Sequence, residues 1–256
     1  MERLISSVIK RTPVILVVAL LIGLVSPVAA KTRWSIDLES GLAISGYNNV
    51  RIPGNTGTKF SLSRDLEIDQ TVFWRARFSR MFGDKHSLSL LIAPLTFNAE
   101  GRLEKVLKFA GGEFAANTFV RAKYRFDSYR VTYRYDFYRR EKLRFGIGFT
   151  GKIRDAAISV EDGDQRFEKT NTGFVPLINF RAQWTISPHF GLILDGDALA
   201  APQGRAEDVL VVLTARASES LQFKIGYRLL EGGADNDEVY TFALVNYLVL
   251  GAAWRI

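Results

Sequence analysis

From Trp34 the chain alternates: Trp34, Ile36, Leu38, Ser40, Leu42 and Ile44 fall on one face, and Ser35, Asp37, Glu39, Gly41, Ala43 and Ser45 on the other. A side-chain period of two is that of a β-strand with two chemically different faces. The pattern returns at Leu143, Phe145, Ile147 and Phe149 against Arg144, Gly146, Gly148 and Thr150, and again from Phe174 to Ile186. Near the end, Leu221, Phe223, Ile225, Tyr227 and Leu229 oppose Gln222, Lys224, Gly226 and Arg228. The last segment sets Tyr240, Phe242, Leu244, Leu248, Leu250, Ala252, Trp254 and Ile256 on one side. No amphipathic helix competes with these runs.

The joins between runs are of two kinds. Short ones stand at 82–86, 138–142, 187–189 and 218–220, and longer polar or Gly-rich ones at 51–58, 101–118, 161–168, 200–207 and 231–238. Short and long alternate, which predicts an up-and-down meander of about ten strands. Eight remain open if 189–217 is not a full hairpin, because LVVLTARA is short. A soluble sandwich would alternate too. The aromatic row Tyr129, Val131, Tyr133, Tyr135 and Phe137 beside a tight turn suits instead the girdle of a membrane interface.

Two stretches break phase. Along 119–138 the apolar positions are even (Val120, Ala122, Tyr124, Phe126) and then odd (Tyr129 to Phe137), switching near Asp127 and Ser128. The next run is odd through Ile153 and even at Ala156, Ile158 and Val160, switching near Asp155. Either a β-bulge in each strand moves the later side chains to the other face, or the strands end at the switch. Matched bulges would mark the upper edge of the bilayer.

The first thirty residues differ from the rest: Arg3, Lys10 and Arg11 precede an apolar run from Pro13 to Val25, then Val28 and Ala30. This reads as a cleaved signal peptide over 1–30, with an uncleaved anchor as the alternative, and leaves 31–256 as one domain. With 34 Lys and Arg against 27 Asp and Glu spread along the chain, nucleic acid is not an expected partner. There is no cysteine, so an exported fold must be held by its hydrogen-bond ladder and packing.

The alternate apolar residues Leu248, Leu250, Ala252, Trp254 and Ile256, with no tail after them, resemble the end of bacterial outer-membrane β-barrels, although that family usually closes on an aromatic residue. The resemblance implies an all-β transmembrane antiparallel barrel in the cell outer membrane. Its implied partners are membrane lipids, lipopolysaccharide among them, and the outer-membrane assembly machinery, with the chain a monomer. It carries over no functional residue.

Candidate chemistry is sparse. The two histidines, His86 and His189, lie in short joins, away from any site built by the long loops, and neither GxSxG nor HExxH occurs, so no enzymatic activity, cofactor or metal is expected, with a rim-located membrane enzyme as the third reading. The acidic stretch 231–238 fits no calcium-loop spacing. The loop 101–118 mixes Leu103, Val106, Leu107, Phe109 and Phe114 with basic residues, and either covers the barrel mouth or touches lipid head groups. The face opposite the apolar one carries Asp37, Glu39, Arg130, Arg134, Arg144, Arg181, Asp195, Asp197, Arg216 and Arg228. Inside a barrel such charges must pair or meet water. They predict a salt-bridged plug with a structural or lipid-contacting role, or else a narrow porin-like channel for small polar solutes. Gly148 and Thr150, on the same face, are expected to accept small polar substitutes.

Overall fold

The computed structural model describes residues 33–202 and 204–256; the expected signal peptide lies outside the described residues. Its strands are β1 (Arg33–Arg51), β2 (Phe60–Ser61), β3 (Glu67–Ile68), β4 (Thr71–Phe82), β5 (His86–Ala93), β6 (Thr96–Arg102), β7 (Leu107–Phe109), β8 (Gly112–Phe114), β9 (Phe119–Arg139), β10 (Leu143–Glu161), β11 (Arg166–Thr185), β12 (Phe190–Ala201), β13 (Gly204–Arg216), β14 (Leu221–Asp235) and β15 (Tyr240–Arg255). Ten of them close a ring in which each pairs antiparallel with the next: β1, β4, β5, β9, β10, β11, β12, β13, β14 and β15, the last back on β1. Closure gives every strand of the ring a neighbour on both sides through the membrane zone, which is how a sheet satisfies its backbone in lipid. The count is ten and not eight because β12 and β13 form a full hairpin, from Ala201 opposite Gly204 to Phe190 opposite Ala215.

Three joins expected to be long are short: turns stand at 162–165 and 236–239, and Ala201 of β12 pairs directly opposite Gly204 of β13, because the strands run on past the membrane. The expected phase switch is likewise neither a bulge nor a strand end. β9 and β10 stay in register without interruption from Tyr135 opposite Ile147 to Arg121 opposite Glu161. Even-numbered residues of β9 point inward throughout, from Val120 to Arg134. What inverts is the medium on each side of the sheet. Below Asp127 and Asp155 the outer face is Tyr129, Val131, Tyr133, Ile153 and Phe149, against lipid, and the inner face is Ser128, Arg130, Thr132, Thr150 and Lys152. Above them the outer face is Arg121, Lys123 and Arg125 in water, and the inner face is Val120, Ala122, Tyr124, Ile158 and Val160 in an apolar core. Arg125 clamps the boundary, its Nη1 donating to Asp127 at 2.9 Å and to Asp155 at 2.7 Å. The actual bulges lie between Ser45 and Tyr47 and between Phe145 and Ile147.

Two chain excursions fill the upper barrel. Segment 52–70 places Ile52, Phe60, Leu62 and Leu66 in the core, and segment 103–118 adds Leu103, Leu107, Phe109 and Phe114. The loop 101–118 is therefore a cap turned inward. β7 and β8 form a hairpin whose two turn residues, Ala110 (φ 50) and Gly111 (φ 88), take the left-handed geometry that suits a two-residue hairpin turn. It is tied to the first excursion by Ala110 N–H to Ile52 O at 2.9 Å and Thr58 N–H to Lys108 O at 2.9 Å. Phe114 packs edge-on against Phe167 of β11.

One expectation about the inner face fails on sterics: a Cβ on Gly148 would lie 2.0 Å from the Tyr133 carbonyl oxygen, so this position accepts no side chain. Thr150, fully buried, is committed to hydrogen bonds with Thr132 (2.8 Å) and Asp197 (2.7 Å).

Candidate functional site

The inward-facing charges of the membrane zone meet across the lumen. Asp208 of β13 is the hub: it accepts from Arg130 Nη2 of β9 at 2.6 Å, from Arg75 Nη2 of β4 at 3.1 Å, and from Arg228 of β14. Arg228 also donates to Glu39 of β1 at 2.7 Å, and Glu39 takes Lys224 Nζ at 2.7 Å. Lys224 reaches Asp37 as well. Asp197 of β12 closes the far side, accepting from Arg130 (2.7 Å), Thr150 (2.7 Å) and Asn179 (2.9 Å). Arg75, Arg130, Asp197, Asp208 and Arg228 are each 4% exposed or less. Charges this deeply buried are tolerable only with partners in hydrogen-bond geometry.

A second group sits nearer the end with the short turns. Asp195 receives Arg181 Nη1 at 3.0 Å and Arg134 Nη1 at 3.3 Å, with Arg77 3.7 Å away. Asp136 lies 3.6 Å from Arg134 and 3.5 Å from Arg144. Between the two groups a small polar cavity of ≈ 60 Å³ is lined by Asp37, Glu39, Arg77, Arg181, Asp195 and Lys224, among others.

Of the residues singled out in the sequence, Asp37, Glu39, Arg130, Asp197 and Arg228 meet in the first group, and Arg134, Arg181 and Asp195 in the second. Arg144 joins the second group at its margin, through Asp136. Arg216 joins neither: it ends β13, exposed, beyond the membrane zone. The hub, Asp208, was missed because 200–207 reads as a polar loop. The signal is present in the alternation Asp208, Leu210, Val212, Thr214 once that stretch is taken as strand. Asp136 continues the even-numbered inward row of β9 next to outward Phe137, so the alternation carried its signal too. Within the acidic stretch 231–238, Glu231 is held by Arg205 (2.8 Å) and Tyr47, and Glu238 by Lys169 (3.3 Å).

His86 and His189 both lie at the short-turn end. His86 Nδ1 is 2.8 Å from the Tyr133 hydroxyl, on the outer face, and His189 is in the exposed turn after β11.

No protein-family model matches the chain, and no curated protein matches it. Among solved structures it is similar to the outer membrane protease OmpT from Escherichia coli, with a TM-score of 0.57 and 8% identity over 88% of this chain and 97% of that one. It is also similar to Ail, the attachment invasion locus protein of Yersinia pestis, in a complex with the heparin analogue sucrose octasulfate (TM-score 0.38, 10% identity, 87% and 99% covered). A third is an outer membrane channel from Pseudomonas putida F1 (TM-score 0.38, 12% identity, 91% and 97% covered). These likenesses concern the fold. The OmpT likeness overturns one expectation, that the chain has no enzymatic activity: a barrel of similar fold is a protease, so the fold does not exclude catalysis. Two histidines away from the long-loop end speak only against histidine-dependent hydrolysis, which is narrower than catalysis.

Proposed function

Since the chain is an outer-membrane β-barrel, we propose that it spans the membrane as a plugged barrel and works in contact with lipid at its upper, outer-leaflet end. The observation behind this is the Asp208 hub. Arg75, Arg130, Arg228, Glu39, Asp197 and Asp208 come from six strands around the ring and meet in the middle of the lumen. About ten strands enclose a lumen little wider than the side chains that fill it. In this first group four cations (Arg75, Arg130, Lys224, Arg228) face four acids (Asp37, Glu39, Asp197, Asp208) and balance, whereas the second group sets Arg77, Arg134, Arg144 and Arg181 against only Asp136 and Asp195.

Above the plug, the apolar core and the inward cap obstruct the same path a second time. Lipopolysaccharide at the charged upper rim, a monomeric state and delivery by the outer-membrane assembly machinery belong to the same reading. The test is conductance in planar bilayers. The plugged barrel stays at the background level, whereas steady unitary currents from the wild type would establish a narrow channel for small polar solutes instead.

A further inference from the structure

Above the plug lies a cavity of ≈ 430 Å³, within the ~300–1,000 Å³ of small-molecule sites. Its wall is mostly apolar and includes Tyr124, Phe126, Val175, Leu199, Leu230 and Val245. Charged residues also line it: Arg154 donates to Asn171, Lys169 pairs with Glu238 and Arg205 with Glu231, which leaves Lys152 as the lining cation to account for. Lys152, on the inner face of β10 at the cavity floor, is 2% exposed. Among the described residues its ammonium has no hydrogen-bond acceptor and no carboxylate within ion-pair distance; its neighbour is the Phe126 ring, 4.7 Å from Nζ to the centroid. The nearby acids are committed to arginines: Asp197 to Arg130, and Asp208 to Arg75, Arg130 and Arg228. An ammonium buried without a partner is costly, so a cation kept there fits a site that receives an anion.

The cavity also has a side opening. The ladder between β11 and β12 runs only from Thr185 opposite Gly191 to Ile178 opposite Ala198. Above it, β11 continues to Arg166 on β10 alone, because β12 ends at Ala201 and β13 starts back from Gly204. Pro176 stands where the ladder stops and has no N–H to leave unpaired there. Higher up, Lys169 Nζ and Glu238 Oε2, 3.3 Å apart, bridge β11 to the join between β14 and β15, so the gap is a window with a lintel. Its height is fixed by register. Phe174, beside the window, pairs with Ile153, the last lipid-facing residue of β10 before Asp155. The window therefore opens at the level where the outer face changes from apolar to charged, beside the acyl chains and head groups of the outer leaflet.

We propose that this cavity binds a single-chain fatty acid taken laterally from the outer leaflet, with its carboxylate on Lys152 and its alkyl chain along the Val175, Leu199, Leu230 and Val245 wall. A carboxylate supplies the charge that Lys152 lacks. A single chain suits a window one missing strand pairing wide, and the apolar wall gives up nothing by covering it. Of the reading above, this rests only on lipid contact at the upper end and is independent of whether the plug conducts.

The test is a competition in detergent micelles, with the folded barrel holding the fluorescent fatty acid cis-parinarate and challenged by oleate or by its neutral methyl ester. Wild type should release the probe to oleate roughly tenfold more readily than to methyl oleate, the scale of one charge-assisted contact. Lys152→Met should abolish that preference while methyl oleate still competes, and Lys152→Arg should keep it. Leu199→Trp, which fills the cavity, should weaken both competitors. Heat-modifiable migration on gels certifies that each variant is folded. Equal competition by oleate and its ester in wild type, or an unchanged preference in Lys152→Met, overturns the proposal.

Discussion

Asp208→Asn is the sharpest perturbation of the plug. It keeps the shape of the side chain and one oxygen acceptor but removes the charge that faces three guanidinium groups. Each of those groups retains one acid: Arg130 keeps Asp197 at 2.7 Å, Arg228 keeps Glu39 at 2.7 Å, and Arg75 keeps Glu39 at 3.5 Å. No cation is stranded entirely, but a balanced set of four and four becomes one with a surplus positive charge among residues at most 9% exposed, Asp37 excepted. Breaking a buried pair by removing one partner costs ~3–5 kcal/mol, and the retained partners place this case toward the lower end. At roughly 2–4 °C per kcal/mol for a chain of this size, the loss of heat stability is on the order of 10 °C. The assay is the temperature at which the compact gel band converts to the unfolded one, backed by urea unfolding in lipid vesicles. Glu207→Gln, one residue away on the outer face, is the control and should move stability by less than ~0.5 kcal/mol. An Asp208→Asn barrel within ~0.5 kcal/mol of wild type would refute the idea that this hub holds the lumen together.

Two further outcomes follow from the polarity inversion and from the upper turns. Ile147→Arg, on the lipid face of β10, should cost ~2–4 kcal/mol in vesicle unfolding. Lys123→Leu, also outward but above the Asp127 boundary, should be nearly neutral, and similar damage from both would misplace that boundary. In the turn between β10 and β11, the Asp162 carboxylate accepts the backbone N–H of Gln165 at 3.0 Å and of Asp164 at 3.1 Å, which holds its pKa below the usual carboxylate range. A depressed folded value stabilises the turn above the unfolded pKa and loses that contribution as pH falls through the folded one. The carbon-detected NMR titration of Asp162 should therefore have its midpoint below ~3.9, with turn amides exchanging faster beneath it, and a midpoint at or above ~3.9 would remove the turn from the account.

The residues that were easy to read and those that were not differ in one physical respect. In the membrane zone each side of the sheet faces one medium, lipid or a polar lumen, so Leu143 to Thr150 and Leu221 to Leu229 spell out strand and facing at once. Above Asp127 and Asp155 the same strands face water outside and an apolar core inside, and the code reverses without any change in the backbone. A reading that assigns apolar residues to the outside must then invent a bulge or end the strand at that point. The same reversal disguised the ends of β11, β13 and β14 as long polar loops, because Lys169, Arg205 and Glu231 are strand residues whose surroundings are wet or charged. Asp208 was lost with them, and with it the centre of the plug. Lys152 was lost differently: it sits in perfect alternation and looks like one more lumen charge. Its distinction, that among the described residues no carboxylate lies within ion-pair distance because the nearby acids are held by arginines, is a property of which strands the closed ring brings opposite β10, and no local pattern in one strand carries that information.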